Sequence, residues 1–142
     1  GSSKMSKSDT SDATRINLTD SADDIAQKIK RAKTDPEALP SEVEGLADRP
    51  EARNLVGIFS GLSGRTESHI LAEFGGQGFG VFKPALAQLV VDVISPISQK
   101  MNQLLAEPDE IDKLLASGAE EAYAITVPVL EDVKKIIGLT PP

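Results

Sequence analysis

Five residues near the start of the chain, Lys4-Met5-Ser6-Lys7-Ser8, combine the groups that best hold a polyphosphate. Two lysines three positions apart supply ammonium charge, while serine hydroxyls and backbone N–H groups donate hydrogen bonds to phosphate oxygens. The first nineteen residues are rich in Ser, Thr, Asp and Lys and are expected to form an extended, exposed segment. Taken alone, five such common residues are more often a solvated tail than a binding site.

A second candidate site is the densest basic cluster, formed by Lys28, Lys30, Arg31 and Lys33. The chain carries 15 Lys and Arg against 22 Asp and Glu, a net charge of −7, so it needs a local basic surface to contact RNA phosphates. Cations at the end of a helix also favour the helix dipole without any ligand. A contact to RNA phosphates and a solvated helix end are therefore both open for this cluster.

Other kinds of site find little support in the sequence. No cysteine is present and His69 is the single histidine, so thiolate chemistry, disulfides and a histidine-based metal cluster are excluded and no metal site is predicted. The glycine-rich stretch at 75–80 fails the G-x-G-x-x-G pattern because position 81 is Val81, and a helix stop with a turn is favoured. His69 is expected to serve packing or to lie at the surface.

The overall composition indicates one ordinary domain of helical type. The chain has 142 residues, of which 39% are hydrophobic and only 4% aromatic, and Ala, Leu, Glu and Lys are abundant. Its acidic balance disfavours DNA as a partner. No uninterrupted apolar run approaches the roughly 20 residues that cross a bilayer, so no membrane partner and a cytoplasmic location are expected.

Apolar residues recur at helical spacing between residues that cap or break helices. The pattern predicts an all-α, irregular bundle of about five to six helices, with residues 1–19 as loop and linker and 20–142 as the helical domain. The expected helices cover 19–34, 50–63, 66–74, a long stretch that starts between 79 and 84 and ends near 106, 108–115, and 118–138.

Some expectations are specific to single residues. Ser21 with Asp24 approximates a capping box at the start of the first helix, Gly64 is the expected end of the second helix, and Thr66 is the expected cap of the third. Ser117 and Glu120 form a capping box that starts the last helix, and Pro96 and Pro128 are expected to kink the two longest helical stretches. The residues of the last helix expected to face the core are Ala119, Ala122, Val129, Val133 and Ile136. Four phenylalanines are also expected in the core, namely Phe59, Phe74, Phe79 and Phe82.

The order of several longer segments adds a family resemblance. KMSKS is the signature loop of class I aminoacyl-tRNA synthetases, and the segments after it resemble the bacterial tryptophanyl-tRNA synthetase family. The resemblance covers residues 4–139, nearly the whole chain. The segments that carry it are KMSKSD, DATRINLTD, IAQKIKRAKTDP, RPEARNLVGIF, LAEFGG, GFGVFKPALAQLV, SGAEEAYAI and VLEDVKKIIG.

The resemblance implies a fold, a reaction and a set of partners. In this family a Rossmann domain with the tryptophan pocket precedes KMSKS, so the chain resembles the C-terminal portion, with a helical domain that binds the anticodon arm of tRNA(Trp). The implied full-length enzyme, expected as a homodimer, activates tryptophan with ATP and Mg²⁺, and the fragment alone is expected to bind no ATP and to be inactive. Lys4 and Lys7 are implied to act on the ATP phosphates, with Met5, Ser6 and Ser8 shaping the loop.

One alternative from another functional class remains compatible with composition alone. A helical protein-interaction module with a disordered Lys/Ser-rich tail would show the same amphipathic patterns and would bind neither nucleotide nor RNA. A dinucleotide-type βαβ pattern upstream of residue 1 in the parent gene would decide between the two hypotheses.

Overall fold

The computed structural model describes Ser6 and residues 10–139, and this part of the chain is all-α, without a strand. The expected fold class is confirmed. The helices are α1 (Ala22–Arg31), α2 (Pro50–Ser63), α3 (Glu67–Phe74), α4 (Phe79–Ala106) and α5 (Pro108–Ile136), with short 3-10 turns at Asp12–Thr14 and Val43–Leu46. The chain forms two compact units, residues 1–101 and residues 102–142.

Helix α1 begins at the predicted capping box. The Asp24 N–H donates to Ser21 Oγ at 3.1 Å, and the Ser21 N–H donates to Asp24 Oδ2 at 3.2 Å. Two backbone donors at the helix start are thereby satisfied reciprocally. Ile25, one turn into the helix, is completely buried in the core, and the side chain of Ile29 one turn further on is 4% exposed. The cap and the apolar stripe together fix where α1 starts and which face it buries.

The core of the first unit is built around the four phenylalanines. Phe82 is fully buried, and its ring centroid lies 5.2 to 6.4 Å from those of Phe59, Phe74 and Phe79. Tilted and edge-to-face pairs at such distances are the favoured aromatic arrangements. The predicted burial of all four rings is confirmed. The other buried apolar residues are Ile25, Ile29, Leu39, Leu46, Ala52, Leu55, Val56, Ile70, Leu71, Leu86 and Val90.

The long connection between α1 and α2 is held by one arginine. Arg49 Nε donates to Asp35 Oδ2 at 3.0 Å, and its Nη atoms donate to the second oxygen of Asp35 and to the carbonyls of Glu37 and Ala38. Leu39 of this connection is 2% exposed and therefore lies in the core. A connection of 18 residues with two prolines, Pro36 and Pro40, thus acquires a fixed path.

The glycine-rich stretch joins α3 to α4 as a turn, as the sequence indicated. A Cβ atom on Gly75 would lie 2.5 Å from the Leu71 carbonyl oxygen and 2.8 Å from Ser41 Cα, so only glycine fits between these two backbones. Gly76 has φ of 76°, which glycine adopts without strain. Its N–H donates to the Leu39 carbonyl, which joins the turn to the α1–α2 connection.

Helix α4 runs through both of its prolines, Pro84 and Pro96, as one helix. Contrary to the estimate from uninterrupted apolar runs, it is long and apolar enough, by length and composition, to cross a membrane. Its fully buried residues Phe82, Leu86 and Val90 belong to the core of the first unit. Within its most apolar 18-residue window, 17% is buried.

The second unit departs from two expectations. Helix α5 is continuous from Pro108 to Ile136, so no new helix starts at Ser117, and Gly118 lies inside it. A glycine within an exposed helix costs only about 1 kcal/mol relative to alanine, which the neighbouring strong helix formers offset. No described residue of α5 is buried, so the predicted core-facing set is wrong within this chain: Ala119, Ala122, Val129, Val133 and Ile136 are all exposed.

Candidate functional site

Of the five residues in the signature pentapeptide, the structure describes only Ser6. Ser6 is exposed and lines a cavity of about 510 Å³ together with residues 15–19 and Met101, all within the first unit. The other predicted phosphate-binding residues lie outside the described residues, namely Lys4, Met5, Lys7 and Ser8. Their roles remain predictions from the resemblance.

The segment that follows the pentapeptide is held by a local polar network. A 3-10 turn at Asp12–Thr14 is closed by the Thr14 hydroxyl, which donates to the Ser11 carbonyl at 2.9 Å. Asn17 then joins both ends of the segment, because its Nδ2 donates to Asp12 Oδ1 at 2.8 Å and its N–H donates to Asp20 Oδ2 at 2.8 Å. The eleven residues at 10–20 therefore follow a defined path with almost no apolar burial.

Lys28 ties this segment to α1. Its ammonium lies 2.6 Å from Asp20 Oδ2 and 2.7 Å from Asp12 Oδ2. The Lys28 and Asp20 side chains are only 14% and 10% exposed, so little water competes for this contact. Burial lowers the pKa of Lys28, and the hydrogen bonds to Asp12 and Asp20 outweigh it, so the pKa lies above its usual value. The hydrogen bond from Lys28 lowers the pKa of Asp12.

This geometry changes the interpretation of one predicted tRNA contact. Lys28 already neutralises two carboxylates, and a phosphate approaching it would meet their negative charge. The phosphate-contact prediction is therefore retained for Lys30, Arg31 and Lys33, and Lys28 receives a different role.

Lys30 lies on another side of α1 from Lys28 and lines a cavity of about 600 Å³ between α1 and α4. Lys83 of α4 lines the same cavity, but its ammonium donates to the carbonyls of Lys30 at 3.2 Å and Ala32 at 2.5 Å. Lys83 thus caps the C-terminal end of α1, where the helix leaves carbonyls without partners. Burial lowers the pKa of Lys83. Within residues 10–139, no carboxylate pairs with the Lys30 ammonium.

Arg31 and Lys33 complete the basic end of α1. Arg31 is exposed beside a recess that Asp23, Asp24 and Lys28 also line, and it makes no ion pair with any residue that the structure describes. Lys33 lies 3.3 Å from Glu51, with its own side chain 85% exposed, so this pair is open to solvent. Such exposed pairs exchange readily for stronger partners. The end of α1 therefore presents three accessible cations in an acidic chain.

The remaining candidates have structural roles. His69 lies in the first turn of α3, where its exposed backbone N–H donates to the capping Thr66 Oγ1 at 3.3 Å. Among the residues that the structure describes, no group of three His, Asp or Glu side chains is arranged to hold a metal ion.

The sequence did not reveal the parts of the site that depend on distant contacts. Asp12 lies 16 positions before Lys28, and Lys83 lies 51 positions after Ala32, so no local spacing pairs them. Lys83 is the one charged residue among the first thirteen residues of α4, 79–91, and this is the signal that would have drawn attention to it.

Comparisons with known proteins agree with the sequence resemblance. A family model described as "tRNA synthetases class I (W and Y)" matches residues 1–95. The chain is 56% identical over 138 residues to the tryptophan–tRNA ligase of Caulobacter vibrioides, covering 97% of this chain and 40% of the relative. The tryptophan–tRNA ligase of Agrobacterium fabrum is also 56% identical over 138 residues, at 97% and 39% coverage.

A more distant relative covers the chain completely. The tryptophan–tRNA ligase of Thermosynechococcus vestitus is 44% identical over 146 residues, which is 100% of this chain and 42% of the relative. The chain spans about two fifths of the length of the curated relatives it matches.

Proposed function

Since this chain belongs to the class I tRNA synthetases of the tryptophan and tyrosine family, we propose that it is part of a tryptophan–tRNA ligase. The observation that carries the proposal is the 56% identity to such a ligase over 97% of the chain, with KMSKS at its start. The complete enzyme, proposed as a cytoplasmic homodimer, would activate tryptophan with ATP and transfer it to tRNA(Trp). Within this enzyme, residues 1–19 would form the signature loop and its linker, and residues 20–142 would bind tRNA.

The chemistry proposed for the loop is electrostatic. Adenylate formation expels pyrophosphate, so negative charge grows on the leaving phosphates as the bond to the α-phosphorus breaks. Lys4 and Lys7 would neutralise this charge, and hydroxyl and backbone donors of Ser6 and Ser8 would hold the phosphate oxygens, with Met5 as spacer. Mg²⁺ would enter with ATP as part of the substrate. The 142-residue chain by itself is expected to give no pyrophosphate exchange.

The helical part is proposed to bind the anticodon arm of tRNA. Lys30, Arg31 and Lys33 are exposed, close together in sequence and not engaged in buried ion pairs. Contacts from cations to the RNA backbone position the nucleic acid and provide much of the affinity. The acidic remainder of the chain repels RNA elsewhere, so binding is confined to the few basic sites.

Charge reversal at the end of α1 tests the tRNA proposal. In the complete ligase, Lys30→Glu with Arg31→Glu removes two phosphate contacts, so tRNA affinity falls and the slope of log affinity against log salt becomes shallower by about one to two. The measurement is filter binding or fluorescence titration with tRNA(Trp) at several salt concentrations. Lys113→Glu with Lys135→Glu in α5 carries the same charge change and is the matched control.

Three results of this experiment are possible. A shallower slope for the α1 variant and not for the α5 variant supports specific phosphate contacts at α1. Equal effects of the two variants would show a general charge effect, and an unchanged slope would return the cluster to a solvated helix end.

A further inference from the structure

We propose that Lys28 is a positioning residue for catalysis, which anchors the signature loop to α1 through Asp12 and Asp20. This inference rests on the proposed ligase function and gives Lys28 a role within it. The geometry that carries it is the pair of short ion pairs, 2.7 Å to Asp12 and 2.6 Å to Asp20, made by one largely buried ammonium.

The anchor matters because of its position along the chain. Asp12 is five residues after Lys7, whereas Ile16, the next residue that packs against the core, is nine residues after it. An extended chain spans at most about 3.5 Å per residue, so anchoring Asp12 limits the reach of Lys7 from a fixed point on its C-terminal side to about 18 Å, instead of about 32 Å. A shorter tether raises the effective concentration of the loop lysines at the phosphates.

Removing the ammonium does more than break two contacts. The oxygens of Asp12 and Asp20 both lie within 2.7 Å of the same nitrogen, so without it two carboxylates face each other and repel. The contacts that then remain are those of Asn17, which bonds to both aspartates, and of Arg15, whose guanidinium lies 3.1 Å from Asp12 Oδ1. Ile16 is the one apolar residue from 10 to 20 that packs against the core, and it is only partly buried, so little apolar burial holds the segment against this repulsion.

A role in positioning and a role in tRNA binding give opposite results for Lys28. A phosphate contact would alter tRNA affinity and its salt slope, and would leave tryptophan activation without tRNA unchanged. An anchor for the loop would lower the rate of activation in the absence of tRNA and would leave the salt slope of tRNA binding unchanged.

The test is pyrophosphate exchange by the complete ligase without tRNA, comparing the wild type with Lys28→Met. Loss of the anchor lengthens the tether from five to nine residues, so kcat is expected to fall about twofold by the −3/2 power dependence on tether length. The KM for tryptophan stays unchanged, because the loop is not part of the amino-acid pocket. Lys28→Arg keeps the charge and is expected to recover most of kcat.

Further variants separate the anchor from a general loss of stability. Asp12→Asn changes an exposed carboxylate, 56% accessible, and is expected to lower kcat to a similar extent while the chain stays folded. Asp12→Asn combined with Lys28→Met should lower kcat no further than either change alone, since both break the same link. Lys113→Met removes an exposed lysine that is also paired with a carboxylate, and is the matched control with normal kcat.

Each outcome decides a separate claim. A wild-type ligase without exchange activity would refute the proposed function itself. An active wild type with normal kcat in both Lys28→Met and Asp12→Asn would overturn the anchor, as would a lowered kcat with full additivity in the double variant. A changed salt slope of tRNA binding with normal exchange would assign Lys28 to the RNA surface instead.

Discussion

Helices α1 and α5 show why an amphipathic pattern does not by itself locate a core. Both have apolar residues at helical spacing, but α1 buries Ile25 and Ile29 almost completely, whereas Val129 and Ile136 of α5 are 60% and 82% exposed. The difference lies in what surrounds each helix within its own unit: α1 has the phenylalanine core beside it, and the second unit contains little besides α5. Periodicity predicts a face that can be buried, and the rest of the fold determines whether this chain buries it.

The largest expected contrast between the two units is in stability. Phe82→Ala removes a fully buried ring that contacts three other rings, and is expected to lower the free energy of unfolding by about 3–5 kcal/mol. Val129→Ala in α5 is expected to change it by no more than about 0.5 kcal/mol, because the side chain is largely exposed. Urea denaturation of the 142-residue chain measures both. Equal losses would show that α5 is packed in solution.

A second contrast concerns two arginines that are both paired with carboxylates. Arg49→Met removes a bidentate contact to Asp35 and two bonds to carbonyls from a side chain that is 14% exposed, and should cost about 2–3 kcal/mol. Arg65→Met breaks an exposed pair with Glu73 and should cost less than about 1 kcal/mol. Denaturation midpoints of the two variants give the comparison, and a larger cost at Arg65 would contradict it.

The pH dependence of stability is a control for the effect expected of Arg49→Met. The hydrogen bond from Arg49 lowers the pKa of Asp35 below its usual 3.8. A lowered folded-state pKa means that the pair stabilises the fold fully above pH 3.8 and loses this effect as the pH falls through the lowered value. The stability difference between the wild type and Arg49→Met should therefore be constant near neutral pH and shrink below about pH 4. A difference that does not depend on pH would point to packing of the arginine stem instead.

The smallest contrast compares two serines that precede an acidic residue by three positions. Ser21 caps α1, so Ser21→Ala should cost about 1 kcal/mol. Ser117 lies inside α5 and caps nothing, so Ser117→Ala should be neutral or stabilise by about 0.4 kcal/mol through helix propensity. Thermal unfolding followed by circular dichroism would detect both changes. A destabilising Ser117→Ala would mean that a helix does begin there.

The sequence predicted the features that depend on neighbouring residues. The Ser21–Asp24 cap, the end of α2 at Gly64 with φ of 68° and the cap of α3 at Thr66 all follow from local rules, and the structure contains them. The Ser117 motif followed the same rule and was wrong, because the good helix formers on both sides extend one helix across it. Local chemistry permits a helix to begin at such a motif without requiring it.

The candidate site was only partly predictable for a related reason. The basic cluster was visible in the sequence, but the division of its members between exposed and partly buried positions depends on Asp12 and Asp20, whose segment has no helical periodicity. The signature loop was recognisable as a motif, since its chemistry resides in the residue types themselves. The contacts that hold the following segment required the three-dimensional structure.

The most direct test of the central claim is pyrophosphate exchange by the complete ligase carrying Lys7→Ala. If Lys7 stabilises the departing pyrophosphate, it interacts more strongly with the transition state than with bound ATP, so kcat should fall by about 10²–10³ with a smaller change in the KM for ATP. Lys7→Arg should restore only part of the rate, because a planar guanidinium does not replace a compact ammonium. A Lys7→Ala enzyme with near-normal kcat and a much higher KM for ATP would contradict the account.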